Sequence, residues 1–281
     1  MGTILSKQLR VEATQAGTKT STTAMCKRAI ILHKETCTQK SDYCAGDGYT
    51  NGSEIEYGSL GTDGVLTSGD AFDCDVNGDG EYDSDTERFY YISDATNGIT
   101  TNNNTAVLIY YNNVSGGVSS NSTTYAYDES NENWHGPQTA IKQLPITDQW
   151  KTRLTNTKRQ ITTEAGTTST SGGTLPEFSY EGYAARLLTV QEVNAGCGFT
   201  VGSRNTGELS KQCKYLMENT KYSNSSNGTY GEWLETPYVA NSNNVWDVGG
   251  YGRYVNNGYA NYSSNFGVRP AIEVAKTDIS Y

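Results

Sequence analysis

The sequence predicts an α+β fold of small antiparallel sheets, two or more helices and long loops. Three observations predict it. Short β-branched and aromatic runs, "RFYYIS" (88–93) and "AVLIYYN" (106–112), are bounded by turn residues, as strands are. Thr189 and Glu192 form a T-x-x-E capping box that opens a helix. Hydrophobic residues are 35% and charged residues only 19%, so the polarity comes from Asn, Thr, Ser and Gly, alongside 21 Tyr. Those residue types suit strands joined by many turns rather than a charge-rich disordered chain.

The elements follow in order. Residues 1–28 are polar and Thr-rich and read as a lead segment or linker; residues 29–281 read as one domain. A strand candidate lies at 29–33, followed by Gly- and Asp-rich loop to residue 69. The runs at 88–93 and 106–112 are expected to pair as a long-looped hairpin, and 114–133 to be loop. Pro137 suits the start of a helix through "QTAIKQL", and Thr147 and Asp148 suit the cap of another through "QWKTRL". "AARLL" reads as a short strand running into the capped helix, which Gly196 or Gly198 ends. Leu209, Cys213, Leu216 and Met217 share one face of a predicted second helix. Short strands and turns fill the rest.

Net charge is −10. Nucleic-acid binding needs basic patches that displace counterions from phosphates, and the densest basic cluster, 151–159, is short, so no nucleic-acid partner is expected. No apolar run approaches the ~18 residues of a membrane span. The six cysteines include no C-x-x-C and there are two histidines, which argues against zinc and for disulfides made in an oxidising compartment. The expected pairs are Cys37–Cys44 and Cys197–Cys213, with Cys26–Cys74 left over. Gly2 and Ser6 satisfy a myristoylation pattern. The disulfide reading instead places the protein outside the cell or on its surface, with an export or anchoring segment expected upstream.

"DCDVNGDGEYDSDTE" (73–87) carries a calcium-loop spacing. With Asp75 as position 1, Asn77, Asp79, the Glu81 carbonyl and Asp83 fall at positions 3, 5, 7 and 9, and Gly80 allows the sharp turn at position 6. Position 12 is Thr86, with Glu87 one residue late, so the spacing suits a free-standing structural calcium loop; the alternative is an Asp-rich turn without metal.

"ARLLTVQEV", "GEWLETPY", "VWDVGGYG" and "FGVRPAIEV", in that order, resemble the C-type-lectin-like fold. The resemblance is to the bacterial branch shared by formylglycine-generating-enzyme domains and the variable proteins of diversity-generating retroelements. Arg186, Leu187, Leu188, Thr189 and Glu192 match its strand-to-helix element; Trp246, Gly249, Gly250, Gly267, Val268 and Arg269 match its closing strands. The core motifs span 183–274, and the "GVRPA" ending is similar to surface proteins of gut Firmicutes. The resemblance implies that the chain ends meet in one sheet. The sugar-binding calcium motifs of lectins are absent, so calcium-bridged sugar binding is not expected. Arg269 reads as a structural fork on carbonyls or a carboxylate.

The stretch 238–266 is rich in Asn, Tyr, Gly and Ser. Tyr offers contact area at low entropic cost while Asn, Ser and Gly adapt, a mixture used by antibody paratopes. The expected ligand-binding residues are Asp247, Tyr251, Arg253, Tyr254, Asn256, Asn257, Tyr259, Asn261 and Tyr262, with Trp246 and Val248 facing the core. The scatter of Asn and Tyr fits retroelement diversification; it equally fits undiversified surface domains whose Tyr packs across strands. The chain therefore reads as a ligand-binding adhesin or receptor-binding protein with a protein or glycan partner. The alternative is a pilin-like or surface-layer subunit. An enzyme of the formylglycine-generating type is disfavoured, because no cysteine follows Cys213 and His135 beside Trp134 has no nucleophile motif nearby.

Overall fold

The computed structural model describes residues 43–45, 65–83, 85–96, 100–101, 104–120, 123–152, 154, 157–198, 213, 215–218, 231–249 and 255–280. In chain order its elements begin with β1 (Cys44–Ala45), β2 (Ala71–Cys74) and β3 (Arg88–Ser93). A small hairpin of β4 (Ala95–Thr96) and β5 (Thr100–Thr101) leads to β6 (Thr105–Tyr110), and a second joins β7 (Val114–Ser115) to β8 (Val118–Ser119). Then come β9 (Lys158–Gln160), β10 (Glu177–Ser179), α1 (Val190–Cys197) and α2 (Tyr215–Glu218). The chain continues with β11 (Gly231–Pro237), β12 (Asn244–Gly249), β13 (Val255–Tyr259), β14 (Ala271–Ala275) and β15 (Ile279–Ser280). The fold is α+β.

The main sheet runs β14-β6-β3-β2-β1-β15, antiparallel except for the parallel β1–β15 pair. The last strand thus lies beside the first described one. β3 and β6 pair as expected, Tyr90 opposite Ile109 and Tyr91 opposite Leu108. Both faces of this sheet are covered, so its strands are near-continuous apolar runs instead of alternating ones. Phe89, Tyr91, Leu108, Tyr110 and Ile272 enter one core with Tyr127, Trp150, Phe178 and Trp233. Tyr90, Ile92, Val107, Ile109 and Ala271 enter the other with Val190 and Val193 of α1, Leu216 of α2, and Trp246 and Val248. Trp246 and Val248 are therefore core residues, as expected.

α1 begins where the capping box places it: the Thr189 hydroxyl accepts from the Glu192 amide and the Glu192 carboxylate accepts from the Thr189 amide. It ends at Gly198, whose φ of 67° is left-handed. The same Glu192 is paired with Arg186, whose guanidinium donates to both Glu192 oxygens and, at 2.8 Å, to Glu273 of β14. All three side chains are fully buried. Arg159 of β9 lies 3.6 Å from Glu273 and donates to Glu235 of β11, which also accepts from Tyr180 at 2.8 Å. The strand-to-helix motif thus fastens α1 to the closing strand. Burial and the neighbouring Glu235 carboxylate hold the Tyr180 hydroxyl well above its usual pKa. Arg269 donates to the carbonyls of Tyr110, Leu216 and Tyr215, the structural fork expected of it.

Several expectations are corrected. Past Pro137 there is only a 3-10 turn, Ala140–Gln143, because Leu144 precedes Pro145 and turns extended. No helix follows Thr147 and Asp148. The Ile146 carbonyl closes one turn onto the Gln149 and Trp150 amides, and Trp150 is drawn into the aromatic core against Phe89 and Tyr110. "AARLL" contributes a single bridge, Arg186 to Ala271, instead of a strand. Of the predicted second helix the described part is α2, and Cys213 and Leu216 are buried as its periodicity requires. Cys197–Cys213 is a disulfide, as expected, but Cys44 pairs with Cys74 and not with Cys37. The reason is register: antiparallel pairing of β1 and β2 sets Cys44 opposite Cys74, with Cα atoms 4.0 Å apart. That also removes Cys26–Cys74. Cys26, Cys37, Leu209 and the strand candidate at 29–33 lie outside the described residues.

Candidate binding surface

β11, β12 and β13 form a three-stranded antiparallel sheet. At its Tyr259 end, four loops meet: 124–135, 162–174, 239–244 and 260–265. Backbone bonds join them. Ala260 donates to the Asn243 carbonyl, and its own carbonyl accepts from the Tyr127 and Asp128 amides. Ser171 donates to the Val239 carbonyl, and Val239 donates to the Glu164 carboxylate at 3.1 Å.

Asparagine side chains do the rest of the bracing. Asn133 is fully buried; its Nδ2 lies 3.0, 2.6 and 2.7 Å from the carbonyl oxygens of Tyr238, Asn241 and Asn244. Its Oδ1 accepts from the Thr170 hydroxyl at 3.1 Å and its amide donates to the Ser242 carbonyl. One side chain therefore ties three loops together. Asn131 sits at φ 62°, in the left-handed region that Asn tolerates better than most residues. Its carbonyl accepts from the Asn243 side chain and its Oδ1 from the Asn261 amide. Gly172 passes so close to Trp134 and Ser242 that a Cβ there would lie 2.6 Å from each.

On this frame Tyr259 and Tyr262 are exposed, at 45% and 38%, with ring centroids 5.2 Å apart and planes at 82°. The Tyr262 amide donates to the Tyr259 carbonyl, closing the turn that presents the pair. Asn261 is exposed between them. His135 packs on Trp134 and is clamped by two carboxylates, Nδ1 3.1 Å from Asp128 and Nε2 3.1 Å from Glu132. Its contacts are those of a loop brace.

Not every expected residue reaches this surface. Asn256 and Asn257 are half-buried on β13, and Asn257 accepts from the Asn244 side chain at 2.7 Å. Asp247 is a correction: it is 1% exposed, because it lies on the face of β12 that points with Trp233 and Val245 into the core. Its Oδ2 is 3.5 Å from where a Cβ on Gly258 would be, and neither carboxylate oxygen has a hydrogen-bond partner. Burial, and then the Glu232 charge, push its carboxyl well above the usual range. Tyr251, Arg253 and Tyr254 lie outside the described residues.

The acidic loop folds on itself. Asp75 accepts from the Gly78 and Gly80 amides, Asn77 from Asp79, Asp79 from Glu81, and Asp83 from Asp85. The Asp85 amide, and then the Thr86 hydroxyl, hold the Asp83 carboxyl below its ordinary range. Glu87, the residue one place late for a calcium ligand, turns back and spans the loop, accepting from the Asn77 and Asp83 amides. Burial raises its carboxyl pKa. Among the described residues no group of three or more His, Cys, Asp or Glu side chains is placed to hold a metal ion. No described helix is long and apolar enough to cross a membrane.

Residues 138–276 match a family model described as a domain of unknown function, DUF6273. That span takes in three of the four loops and leaves 124–135 outside it. No curated protein and no solved structure matches the chain. Sequence reasoning missed the loops at 124–135 and 162–174 as parts of the surface, and named no residue of 239–244 although it lies in the Asn- and Tyr-rich stretch. Their polar text carries no period, and the only available signal was Asn133 and Trp134 sitting together in an otherwise solvent-suited segment.

Proposed function

We propose that this protein is a C-type-lectin-like ligand-binding module of a cell surface or the extracellular space, and that the four-loop end is its binding surface. The observation that carries the reading is the exposed Tyr259–Tyr262 pair on a turn braced by the Asn243 carbonyl, the Asn131 side chain and the Tyr127 and Asp128 amides. Tyr rings held on a rigid frame supply contact area without a large ordering cost. The pairing of the last strand with the first described one and the motif-borne Arg186–Glu192 pair support the lectin-like reading. The turn also suits diversification: Tyr259, Asn261 and Tyr262 point to solvent while Ala260 and Phe266 hold the core, so change at the exposed positions leaves the core alone. The two disulfides suit an oxidising compartment. The runner-up, a structural subunit, is favoured by the bracing roles of Asn131, Asn133 and Asn243.

Changing Tyr259 and Tyr262 together to Ala decides between them. The binding reading expects an unchanged melt and loss of attachment to target cells. A collapsed melt, or undiminished attachment, hands the lead to the structural subunit. In the same reading, Asp75, Asn77, Asp79, the Glu81 carbonyl and Asp83 hold a structural calcium ion, supported by the calcium-loop spacing and by the Asx turns that fold this segment on itself. Calcium should then raise Tm and EDTA lower it; identical melts in both would end the calcium proposal.

A further inference from the structure

The four loops that build the binding surface contain Asp128, Glu129, Glu132 and Glu164 and not one Lys or Arg. Asp128 and Glu164 are spent inside, on Ser130 and His135 and on the Val239 amide. Glu129 is exposed, and the Glu132 side chain is 42% exposed. The Asp128 amide bonds to Ala260, the residue between Tyr259 and Asn261, so this anionic loop lies directly against the aromatic turn. Trp134, half-buried, belongs to the same loop. Exposed aromatic rings and carboxylates carried on two loops bonded to each other, with no Lys or Arg in either, form a surface complementary to positive charge. The chain's net charge of −10 adds a long-range attraction of the same sign.

We propose that the partner of this surface is a Lys/Arg-rich segment of another polypeptide, its cationic side chains meeting Glu129 and Glu132 and its aliphatic stems and charges lying on Tyr259 and Tyr262. This rests on the binding-surface reading above and narrows it to one chemistry. A neutral saccharide would meet the two outward carboxylates only as hydrogen-bond acceptors, without the charge attraction, and an anionic polymer would be repelled by them. His135 faces Asp128 and Glu132 from the same loop, so Glu129 is the anion left free of it.

The test uses the full chain and a fluorescent (Lys-Ser)5 peptide, with (Glu-Ser)5 and a panel of neutral oligosaccharides as the other arms. Binding of (Lys-Ser)5 should be saturable and should weaken about tenfold between about 50 and 200 mM salt, as screening of exposed charge requires. It should weaken by a comparable factor in Glu129→Gln/Glu132→Gln and in Tyr259→Ala/Tyr262→Ala. A charge-matched control, Glu177→Gln/Glu181→Gln, should bind as the parent does; both positions are exposed and lie outside the four loops. Equal weakening in the control would mean diffuse attraction to an acidic chain and would overturn the proposal. If instead the oligosaccharides bind, and only the tyrosine change abolishes that binding, the cationic partner falls while the surface reading stands. If every probe that binds is indifferent to the tyrosine change, the surface reading itself falls.

Discussion

Replacing Asp247 with Asn should make this protein more stable at neutral pH. A carboxylate with both oxygens unpartnered, walled in by Trp233, Gly258 and Phe266, is among the most expensive groups to bury. Burial, and then the neighbouring Glu232 charge, oppose ionisation and raise its pKa, so folding favours the protonated acid. An unfolded Asp releases its proton near pH 4. Above that pH the folded state binds more protons than the unfolded one, so this group subtracts from stability progressively as pH rises toward the folded pKa. Below the unfolded pKa the penalty vanishes. Asn has the same shape and no charge to lose. Asn leaves a buried polar group as unpaired as the protonated acid does, so the gain is the proton-linkage penalty alone, about 1.4 kcal/mol for each pH unit between the unfolded and folded titrations. The gain corresponds to about 2–4 °C of Tm for each kcal/mol in a domain of this size. Urea unfolding of both proteins at pH 4.5 and pH 8 reads it out: the gap between variant and parent should be wide at pH 8 and narrow at pH 4.5. A variant less stable than the parent at pH 8, or a gap that ignores pH, would refute the account, because it would require an ionised, partnered Asp247.

Three further outcomes follow from the same packing. Arg186→Met should lower stability by about 3–5 kcal/mol in chemical denaturation, since Glu192 and Glu273 would be left buried without their shared cation. Asn133→Ala should lower it by roughly 2–4 kcal/mol, the loss of several hydrogen bonds and the stranding of their carbonyl partners, and should speed hydrogen exchange at the Ala260 and Asn261 amides. Cys44→Ala/Cys74→Ala should lower stability by about 2–4 kcal/mol, as the bond closing a 30-residue separation is lost, and should loosen β15 along with β1.

Local chemistry was legible in the sequence; long-range register was not. Thr189 and Glu192 announce α1 because a capping box needs only four consecutive residues, and the 88–93 and 106–112 runs announce strands because burial on both faces makes them uniformly apolar. Cys197–Cys213 joins neighbouring elements, so nearness in sequence found it. Cys44–Cys74 depends on β1 aligning with β2 across a long connection, and no local pattern states that alignment. Asp247 misled for the opposite reason. A charged residue among Asn and Gly reads as surface, yet strand alternation from Val245 turns it inward, and a period-2 reading of "NVWDVG" shows both faces of β12 as buried. The proposed binding surface was half legible: composition pointed to Tyr259, Asn261 and Tyr262, which are exposed, whereas the neighbouring loops are tied together by Asn133, whose role exists only in three dimensions.

Steric blockade tests the central claim most directly, because it does not depend on what each tyrosine contributes. Ser264 is exposed within the turn that carries the pair, and Val118 is exposed at the tip of the β7–β8 hairpin, outside the four loops. A polyethylene-glycol chain attached through Ser264→Cys, with the attachment site verified by peptide mapping, should abolish attachment to target cells while the melt stays in place. The same chain attached through Val118→Cys should leave attachment intact. Attachment that survives the first modification and fails with the second would place the binding surface elsewhere on the molecule and contradict the account.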